Sequence, residues 1–141
     1  MTAAPANLHA SAVALGGKGV LILGRSGSGK SELALMLMAL GCALVSDDRT
    51  LVTRAGDRLI ASAPDAIRGQ IEMRGVGILR ADPAGPATLV LAVDLEHRET
   101  ARLPEPHSLP LLGLSLPLLH KVENGAFPAA IVQYLKAGRA G

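Results

Sequence analysis

The sequence predicts an α/β fold with a mixed sheet and few helices. Three observations support this prediction. Apolar runs of strand length recur along the 141 residues, one glycine-rich loop separates such a run from a helical segment, and hairpin patterns lie on both sides of that unit. A plain alternation of strands and helices is therefore not expected. The length suits one domain spanning residues 1–141, and no repeat or linker interrupts the pattern.

The first predicted strands lie ahead of the glycine-rich loop. Residues 8–15 are typical of a short strand, and residues 16–19 predict a tight turn into a second strand. That second strand, residues 20–23, is apolar at every position, as in a strand buried on both faces of a sheet. After the loop, strong helix formers fill residues 32–40, and Gly41 is suited to end the helix.

Strand and hairpin patterns dominate the rest of the chain. The predicted strands and hairpin arms are residues 43–45, 51–53, 58–61, 75–79 and 88–93. A short helix is expected near residues 66–71, opened by Pro64, and a last helix at residues 129–137, with Pro128 in its first turn. Four prolines within residues 103–117 predict an irregular surface segment there.

Composition argues against several classes of function. Phe127 and Tyr134 are the only Phe, Tyr or Trp residues, so stacking platforms for nucleic-acid bases are lacking, and the formal net charge of +2 includes no run of Lys or Arg. Cys42 is the only cysteine, which excludes an internal disulfide, and we expect it to be a small buried hydrophobe. Neither a membrane span nor signal-peptide features are evident. We therefore expect no nucleic-acid or membrane partner and a cytoplasmic location.

One octapeptide carries the strongest functional signal. It consists of Gly24, Arg25, Ser26, Gly27, Ser28, Gly29, Lys30 and Ser31, and it fits the P-loop pattern G-x-x-x-x-G-K-[ST]. Its glycines let successive backbone N–H groups point at phosphate oxygens. Lys30 would reach the β- and γ-phosphates of a nucleotide, and the Ser31 hydroxyl would bind Mg²⁺. A strand before the loop and a helix after it favour this function over a glycine-rich turn that binds nothing.

Two adjacent carboxylates, Asp47 and Asp48, follow a predicted strand soon after the P-loop helix. Ligands of open α/β sheets lie beyond the carboxyl ends of strands, so we expect this pair beside a bound nucleotide. One aspartate would hold Mg²⁺ directly or through water, and the other would accept a proton from an attacking hydroxyl. The alternative is a solvated turn followed by Arg49.

His9 and Glu72 are weaker candidates. His9 precedes the P-loop strand on the neighbouring hairpin arm, where a structural histidine is the commoner case. Glu72 precedes Arg74 and two closely spaced glycines, Gly75 and Gly77. That pattern suits a backbone that passes close to a ligand, and it equally suits an ordinary turn.

Four segments together resemble the bacterial HPr kinase/phosphorylase family in order and approximate spacing. They are residues 8–10 (Leu-His-Ala), the P-loop with the following Glu32, residues 45–48 (Val-Ser-Asp-Asp) and residues 71–78 (IEMRGVGI). The resemblance extends over residues 7–93 and continues more faintly beyond them. The acidic pair and the E-x-R-G-x-G-I segment are far more specific to the family than the P-loop is.

The resemblance implies a P-loop kinase domain of the HPr kinase/phosphoenolpyruvate carboxykinase type. It also implies ATP and Mg²⁺ as cofactors. The implied partner is HPr, a small phosphocarrier protein of the phosphotransferase system, which the family phosphorylates on a serine. Many members also remove that phosphate by phosphorolysis. The family forms assemblies, and the Leu- and Pro-rich residues 109–119 would suit contacts of a homo-oligomer, but the sequence leaves the oligomeric state open.

The same resemblance implies which residues form the site. The catalytic and metal positions of the family fall on His9, Lys30, Ser31, Asp47, Asp48 and Glu72. Ser31 and Glu72 match its Mg²⁺ positions, and the aspartate pair contains its proton acceptor, with the choice between the two left open. Arg102 follows the predicted strand 88–93, where the family has a catalytic arginine, and an ordinary surface arginine is an equal alternative there.

Three departures from the family bear on function. The chain matches the catalytic domain without the family's usual N-terminal regulatory domain. Arg25 stands where an acidic residue is common, and its positive charge would favour binding of phosphate. The arginine-containing C-terminal segment that the family uses in phosphorolysis has no clear counterpart, and the nearest region is residues 119–125. The sequence therefore leaves the reverse reaction open.

The predicted function is ATP- and Mg²⁺-dependent phosphorylation of a serine of HPr. Two alternatives stay open. One is a P-loop kinase for a small molecule, although such enzymes usually need an arginine-bearing lid and no compact lid segment is evident. The other is a nucleotide-binding regulatory module without catalysis.

Overall fold

The computed structural model of the protein describes residues 4–141. Within that range the chain forms eleven β-strands and two α-helices. The strands are β1 (Ala6–Leu8), β2 (Ala10–Leu15), β3 (Lys18–Leu23), β4 (Ala43–Ser46), β5 (Thr50–Ala55), β6 (Arg58–Ser62), β7 (Gln70–Met73), β8 (Gly77–Arg80), β9 (Ala87–Arg98), β10 (His107–Leu111) and β11 (Leu114–Lys121). The helices are α1 (Lys30–Ala39) and α2 (Phe127–Ala137).

Nine of the strands form one mixed sheet, with the order β1-β5-β6-β9-β3-β2-β4, and β11 pairs with β9 and with β10. Strand β9 is parallel to β3 and to β11, whereas the other pairs in the sheet are antiparallel. Strands β7 and β8 form a separate two-stranded sheet. This mixed architecture, with two α-helices in the described residues, confirms the predicted fold class.

Several strand ends meet at one edge of the main sheet. Leu23, the last residue of β3, is paired with Asp94 of β9 and with Ala10, the first residue of β2. Strand β4 runs in the same direction as β3 because both are antiparallel to β2, so Ser46 at its end lies near this edge too. The loops that follow β3 and β4 and the residue that precedes β2 are therefore brought together.

The two faces of the main sheet bury separate aliphatic clusters. One cluster includes side chains of both helices, such as Leu37 of α1 and Ile131 of α2. The buried residues of the other cluster all come from strands. In β3, Val20 and Ile22 belong to the first cluster and Leu21 to the second, as the alternation of side chains along a strand requires. Each fully buried Leu or Ile stabilises the fold by about 1.5–3 kcal/mol.

Two of the three predicted helices are confirmed as α-helices, and each begins two residues earlier than expected. Helix α1 begins at Lys30, so the end of the P-loop forms its first turn, and Gly29 before it has φ +100°. Helix α2 begins at Phe127 with Pro128 in its first turn, where a missing backbone N–H leaves no hydrogen bond unmade. Neither helix of the described residues has the length and apolar character needed to cross a membrane.

The predicted strand at residues 8–15 is divided. Strand β1 pairs with β5, whereas β2 pairs with β3 and β4, and the chain bends at His9 between them. His9 therefore lies outside regular structure, at the point where the chain leaves one strand pairing for another. The run of strand-forming residues does not reveal this change of partners.

The short helix predicted near residues 66–71 is confirmed only as a single turn, and it ends earlier than expected. Residues Asp65–Ile67 form one turn of 3₁₀ helix, and Gly69 then takes a positive φ of 73°. This conformation, which glycine adopts without steric cost, ends the turn and leads into β7. Strand β7 pairs with β8, so the expected extended segment at residues 75–79 becomes a turn followed by a strand.

The prediction of an irregular segment at residues 103–117 is wrong from His107 onward. Strands β10 and β11 form an antiparallel hairpin there, and Leu112 and Gly113 at its turn both have positive φ. Pro110 lies in the outer strand β10, and Pro117 precedes the part of β11 that pairs with β9. Proline is tolerated at such edge positions because no N–H is needed there for a neighbouring strand.

Candidate active site

The P-loop occupies the bend between β3 and α1, as predicted. The Ser28 N–H donates to the Arg25 carbonyl at 3.0 Å, which closes a turn within the loop. Gly24 is packed so closely that a Cβ atom there would overlap the Ser28 hydroxyl, so the loop admits no larger residue without a shift. The buried Ser28 Oγ has no hydrogen-bond partner among the described residues.

The Lys30 ammonium lies inside the mouth of the loop. It donates to the carbonyl oxygens of Gly24 at 2.6 Å and Arg25 at 3.1 Å, and the residue is only 5% exposed. An ammonium has three donors, and phosphate oxygens are stronger acceptors than neutral carbonyls because they carry charge. The lysine is therefore held where it would meet phosphates bound by the loop.

A cleft of about 240 Å³ opens beside the loop. Its walls come from the P-loop with the start of α1, from the end of β4, and from β7 with its turn. The lining residues are Ser26, Gly27, Gly29, Lys30, Ser31, Glu32, Asp47, Asp48, Glu72, Met73 and Arg74. Eight of the predicted site residues thus share one cleft, although they are spread over more than forty positions of the sequence.

Asp47 is the buried centre of this cleft, and its side chain accepts three hydrogen bonds. Its Oδ1 accepts from the Ser11 hydroxyl at 2.9 Å and from the Ser31 hydroxyl at 2.6 Å. Its Oδ2 accepts from the backbone N–H of Glu72 at 3.1 Å. These bonds join β2, α1 and β7 through one carboxylate, which is therefore fixed in position.

Asp48 differs from its neighbour in exposure and in partner. Its side chain is 59% exposed, and its Oδ1 lies 3.4 Å from Nε2 of His9. Its φ of 65° is unusual for a residue other than glycine, and such strain clusters at functional sites. The backbone N–H of Asp48 donates to the Ser11 hydroxyl at 3.0 Å, which holds the residue in this conformation.

Ser11 is a residue of the site that no sequence motif identifies. The residue is fully buried in β2, and its hydroxyl donates to Asp47 while it accepts from the N–H of Asp48. One side chain thus sets the positions of both aspartates. A buried serine in an otherwise apolar strand, two residues after His9, is the one signal that the sequence contains.

Arg25 and Arg102 lie apart from the cleft walls. The Arg25 N–H donates to Glu96 Oε1 at 2.5 Å, and its guanidinium Nε lies 3.3 Å from Glu96 Oε2. Glu96 therefore balances the positive charge that distinguishes this P-loop. Arg102 is exposed in the loop after β9 and is not among the residues that line the cleft. Its catalytic role stays a prediction.

Residues 1–84 match the family model described as the HPr serine kinase C-terminal domain. The chain belongs to this family. The matched residues of this HPr serine kinase C-terminal domain include His9, the P-loop, the aspartate pair and Glu72, whereas Arg102 lies beyond them. The family predicted from four short segments is thus confirmed.

Curated relatives agree with the family model. An HPr kinase/phosphorylase of Caldanaerobacter subterraneus subsp. tengcongensis is 51% identical over 73 residues, which cover 51% of this chain and 24% of the relative. An HPr kinase/phosphorylase of Mycoplasmopsis pulmonis is 43% identical over 72 residues, which cover 51% of this chain and 23% of the relative. The matched part of the HPr kinase domain thus spans about a quarter of the length of these relatives.

A solved structure extends the likeness of the fold to the C-terminal part of the chain. The HPr(Ser) kinase/phosphatase from Coxiella burnetii matches with a TM-score of 0.77 over 93% of this chain and 94% of that one. Sequence identity between the two is 24%. The β10–β11 hairpin and α2 thus belong to a chain whose fold as a whole is that of a P-loop kinase of this family.

Proposed function

We propose that this chain is the catalytic domain of a protein-serine kinase that transfers the γ-phosphoryl group of ATP to a serine hydroxyl of HPr. The observation that carries the proposal is the convergence of Lys30, Ser31, Asp47, Asp48 and Glu72 on one cleft. Phosphoryl transfer requires little covalent chemistry from the protein, so positioned charges of this kind supply most of the catalysis. Family membership supports the substrate, because the curated relatives are named HPr kinase/phosphorylase.

The residues of the cleft suit a nucleotide with Mg²⁺. The ammonium of Lys30 is a donor held at the mouth of the loop, as phosphate oxygens require. The Ser31 hydroxyl and the Glu72 carboxylate supply hard oxygen ligands, and Asp47 accepts a hydrogen bond from Ser31. Mg²⁺, when bound, supplies positive charge that stabilises the phosphate oxygens during transfer.

We assign different roles to the two aspartates. Asp47 is buried, and its three hydrogen bonds suit it to orient Ser31 and the ligands of the metal. Asp48 is exposed to the cleft, where a substrate hydroxyl has access to it. We therefore propose Asp48 as the proton acceptor and His9, 3.4 Å from its Oδ1, as a residue that positions the carboxylate.

The proton is transferred to Asp48 as the substrate oxygen bonds to phosphorus. General-base catalysis of this kind contributes a factor on the order of 10² to 10⁴ in rate. The exposure of Asp48 also supports the reverse reaction that the names of the relatives include. In that direction inorganic phosphate displaces the serine oxygen, pyrophosphate forms, and protonated Asp48 returns its proton to the serine.

The test is incubation of the protein with ATP, Mg²⁺ and purified HPr, followed by mass spectrometry of HPr. We expect one phosphoserine, which is absent when HPr carries alanine at the modified serine. Asp48→Asn should slow formation of the product by a factor on the order of 10² to 10⁴ while ATP binding persists. Phosphoserine-HPr with inorganic phosphate, assayed for pyrophosphate, tests the reverse direction.

The same assays separate the two other functions. A small-molecule kinase would release ADP with a panel of small acceptors and leave HPr unmodified. A regulatory module would bind ATP, and its biological output would survive Asp48→Asn but not Lys30→Ala. Absence of phosphoserine on HPr over a range of ATP and Mg²⁺ concentrations would exclude the proposed substrate.

A further inference from the structure

Three of the four histidines of the chain gather outside the P-loop cleft. The rings of His107 and His120 stack with their centroids 4.0 Å apart, and the ring of His97 lies 5.6 Å from that of His120. Glu99 joins the stacked pair. Its Oε1 lies 2.9 Å from Nε2 of His107 and 4.0 Å from Nδ1 of His120. We call Glu99, His107 and His120 the Glu99 cluster.

The fold fixes the backbone of each member of this cluster. Glu99 directly follows β9, and its N–H donates to the carbonyl of Lys121 at 2.8 Å. His107 begins β10 opposite Leu118 of β11, so His120, two residues further on, projects from the same face of the hairpin. The end of β9 and both strands of the hairpin thus converge on one point.

The Glu99 carboxylate is oriented by its own loop. Its Oε2 accepts hydrogen bonds from the N–H groups of Thr100 at 3.0 Å and Ala101 at 3.1 Å, which leaves Oε1 for the two imidazoles. Oriented carboxylates and imidazoles of this kind are the usual ligands of transition metals.

We infer that Glu99, His107 and His120 form a binding site for a divalent transition metal, with Zn²⁺ the ion that their donor set suits best. Two imidazoles and one carboxylate are a common protein ligand set for zinc, with a fourth position open to water. Ligand atoms around a tetrahedral zinc lie about 3.3 Å apart when each metal–ligand bond is about 2.0–2.1 Å. The distances of 2.9 and 4.0 Å lie on either side of this value, and all three ligand atoms lie within 4.8 Å of one another. Metal binding would replace the hydrogen bond between Glu99 and His107 and would require the stacked imidazole rings to tilt so that both nitrogens face one ion.

The cluster differs chemically from the cleft and lies outside the residues that match the family model. The cleft offers hard oxygen donors suited to Mg²⁺, whereas imidazoles favour zinc and its neighbours. The match to the family model covers residues 1–84, and the cluster lies after them. Asp94 is paired with both Leu23 and His120, so the cluster stands at the same edge of the sheet as the P-loop. A bound metal would join the end of β9 to the hairpin at this edge.

The test is a calorimetric titration of Zn²⁺ into the full chain after treatment with a chelator. Excess Mg²⁺ is present throughout to occupy the oxygen donors of the cleft. A parallel titration with Co²⁺ reports coordination by its visible absorption. The His9→Asn variant is titrated in the same way, which removes the histidine beside the cleft. We expect one equivalent of metal with or without His9. Absence of binding, or binding that requires His9, would overturn the proposal.

Substitution of the proposed metal ligands provides a second test. His107→Gln and His120→Gln should each weaken zinc affinity at least about tenfold. His97→Gln is the matched control, because Nδ1 of His97 lies 2.6 Å from Oδ2 of Asp94 and the residue is not a member of the cluster. This variant should bind zinc with the affinity of the unmodified chain. Zinc should also raise the melting temperature of the unmodified chain and of His97→Gln, but not of the ligand variants. Equal affinity in the ligand variants and the unmodified chain would contradict the assignment.

Discussion

The Ser31 hydroxyl donates a 2.6 Å hydrogen bond to Oδ1 of Asp47, and this bond joins the first turn of α1 to the loop after β4. Through this bond Asp47 supports the first turn of the P-loop helix, whereas Asp48 is the exposed member of the pair. The two neighbouring carboxylates therefore differ in what they contact, in how much water reaches them and, as we propose, in what they do.

Asp48→Asn should separate catalysis from folding. We expect kcat for HPr phosphorylation to fall by a factor on the order of 10² to 10⁴, because an amide does not accept the proton. The affinity for ATP and the melting temperature should stay close to those of the unmodified chain. Asp57→Asn, at the exposed turn between β5 and β6, is the matched control. A similar loss of kcat in that control would show that the assay responds to charge in general.

Ser11→Ala should affect both aspartates at once. The change removes one donor from Asp47 and the acceptor of the Asp48 N–H, so we expect the free energy of unfolding to decrease by about 1–3 kcal/mol. The kcat should also decrease, because Asp48 loses the bond that holds its backbone. Urea unfolding and steady-state kinetics measure the two effects. Ser108→Ala, on the exposed side of β10, should change neither quantity.

Gly24→Ala should weaken nucleotide binding. The new Cβ would overlap the Ser28 hydroxyl, and because the Ser28 Cβ lies only 3.0 Å away, the P-loop must shift. We expect an increase in the Kd for ATP, measured by calorimetry. Gly125→Ala is the control, since nothing lies within 4 Å of a Cβ at that position. An unchanged Kd in Gly24→Ala would mean that the loop has more freedom than its packing indicates.

Cys42 should resist alkylation in the folded protein. Burial raises the pKa of its thiol above the ordinary value, so little of the reactive thiolate is present near pH 8. The unfolded thiol ionises near pH 8.5, at about its ordinary pKa, and the folded thiol only at higher pH. The contribution of Cys42 to stability is therefore complete below that range and is lost as the pH rises through the folded pKa. Iodoacetamide labelling against pH, with and without urea, measures the difference, and equal rates would contradict it.

Local patterns predicted the parts of the site that depend on local sequence. The P-loop has a strand before it and a helix after it, and the aspartate pair follows a strand end, so both could be placed before any contact was known. The partners of Asp47 could not be placed in this way. Ser11 and the N–H of Glu72 reach this carboxylate from residues 36 and 25 positions away.

The errors in the predicted fold have a common physical cause. The prolines of residues 103–117 predict irregular structure, because the sequence does not indicate which strands lie at a sheet edge and tolerate proline. The division of the first strand at His9 likewise depends on which strand each half pairs with. The Glu99 cluster depends on the same hairpin register, and its members therefore gave no signal in the sequence.

Strand β9 has a consequence for how the protein is made. Its residue Thr88 pairs with Lys18 of β3, 70 positions earlier in the chain. The ribosome must therefore release residues 87–98 before the strand that leads into the P-loop gains its parallel neighbour. Pairings between distant segments form slowly because a long loop must close first. A nascent chain halted after residue 84 would contain every residue that lines the P-loop cleft and would lack the neighbour that completes the sheet beneath it.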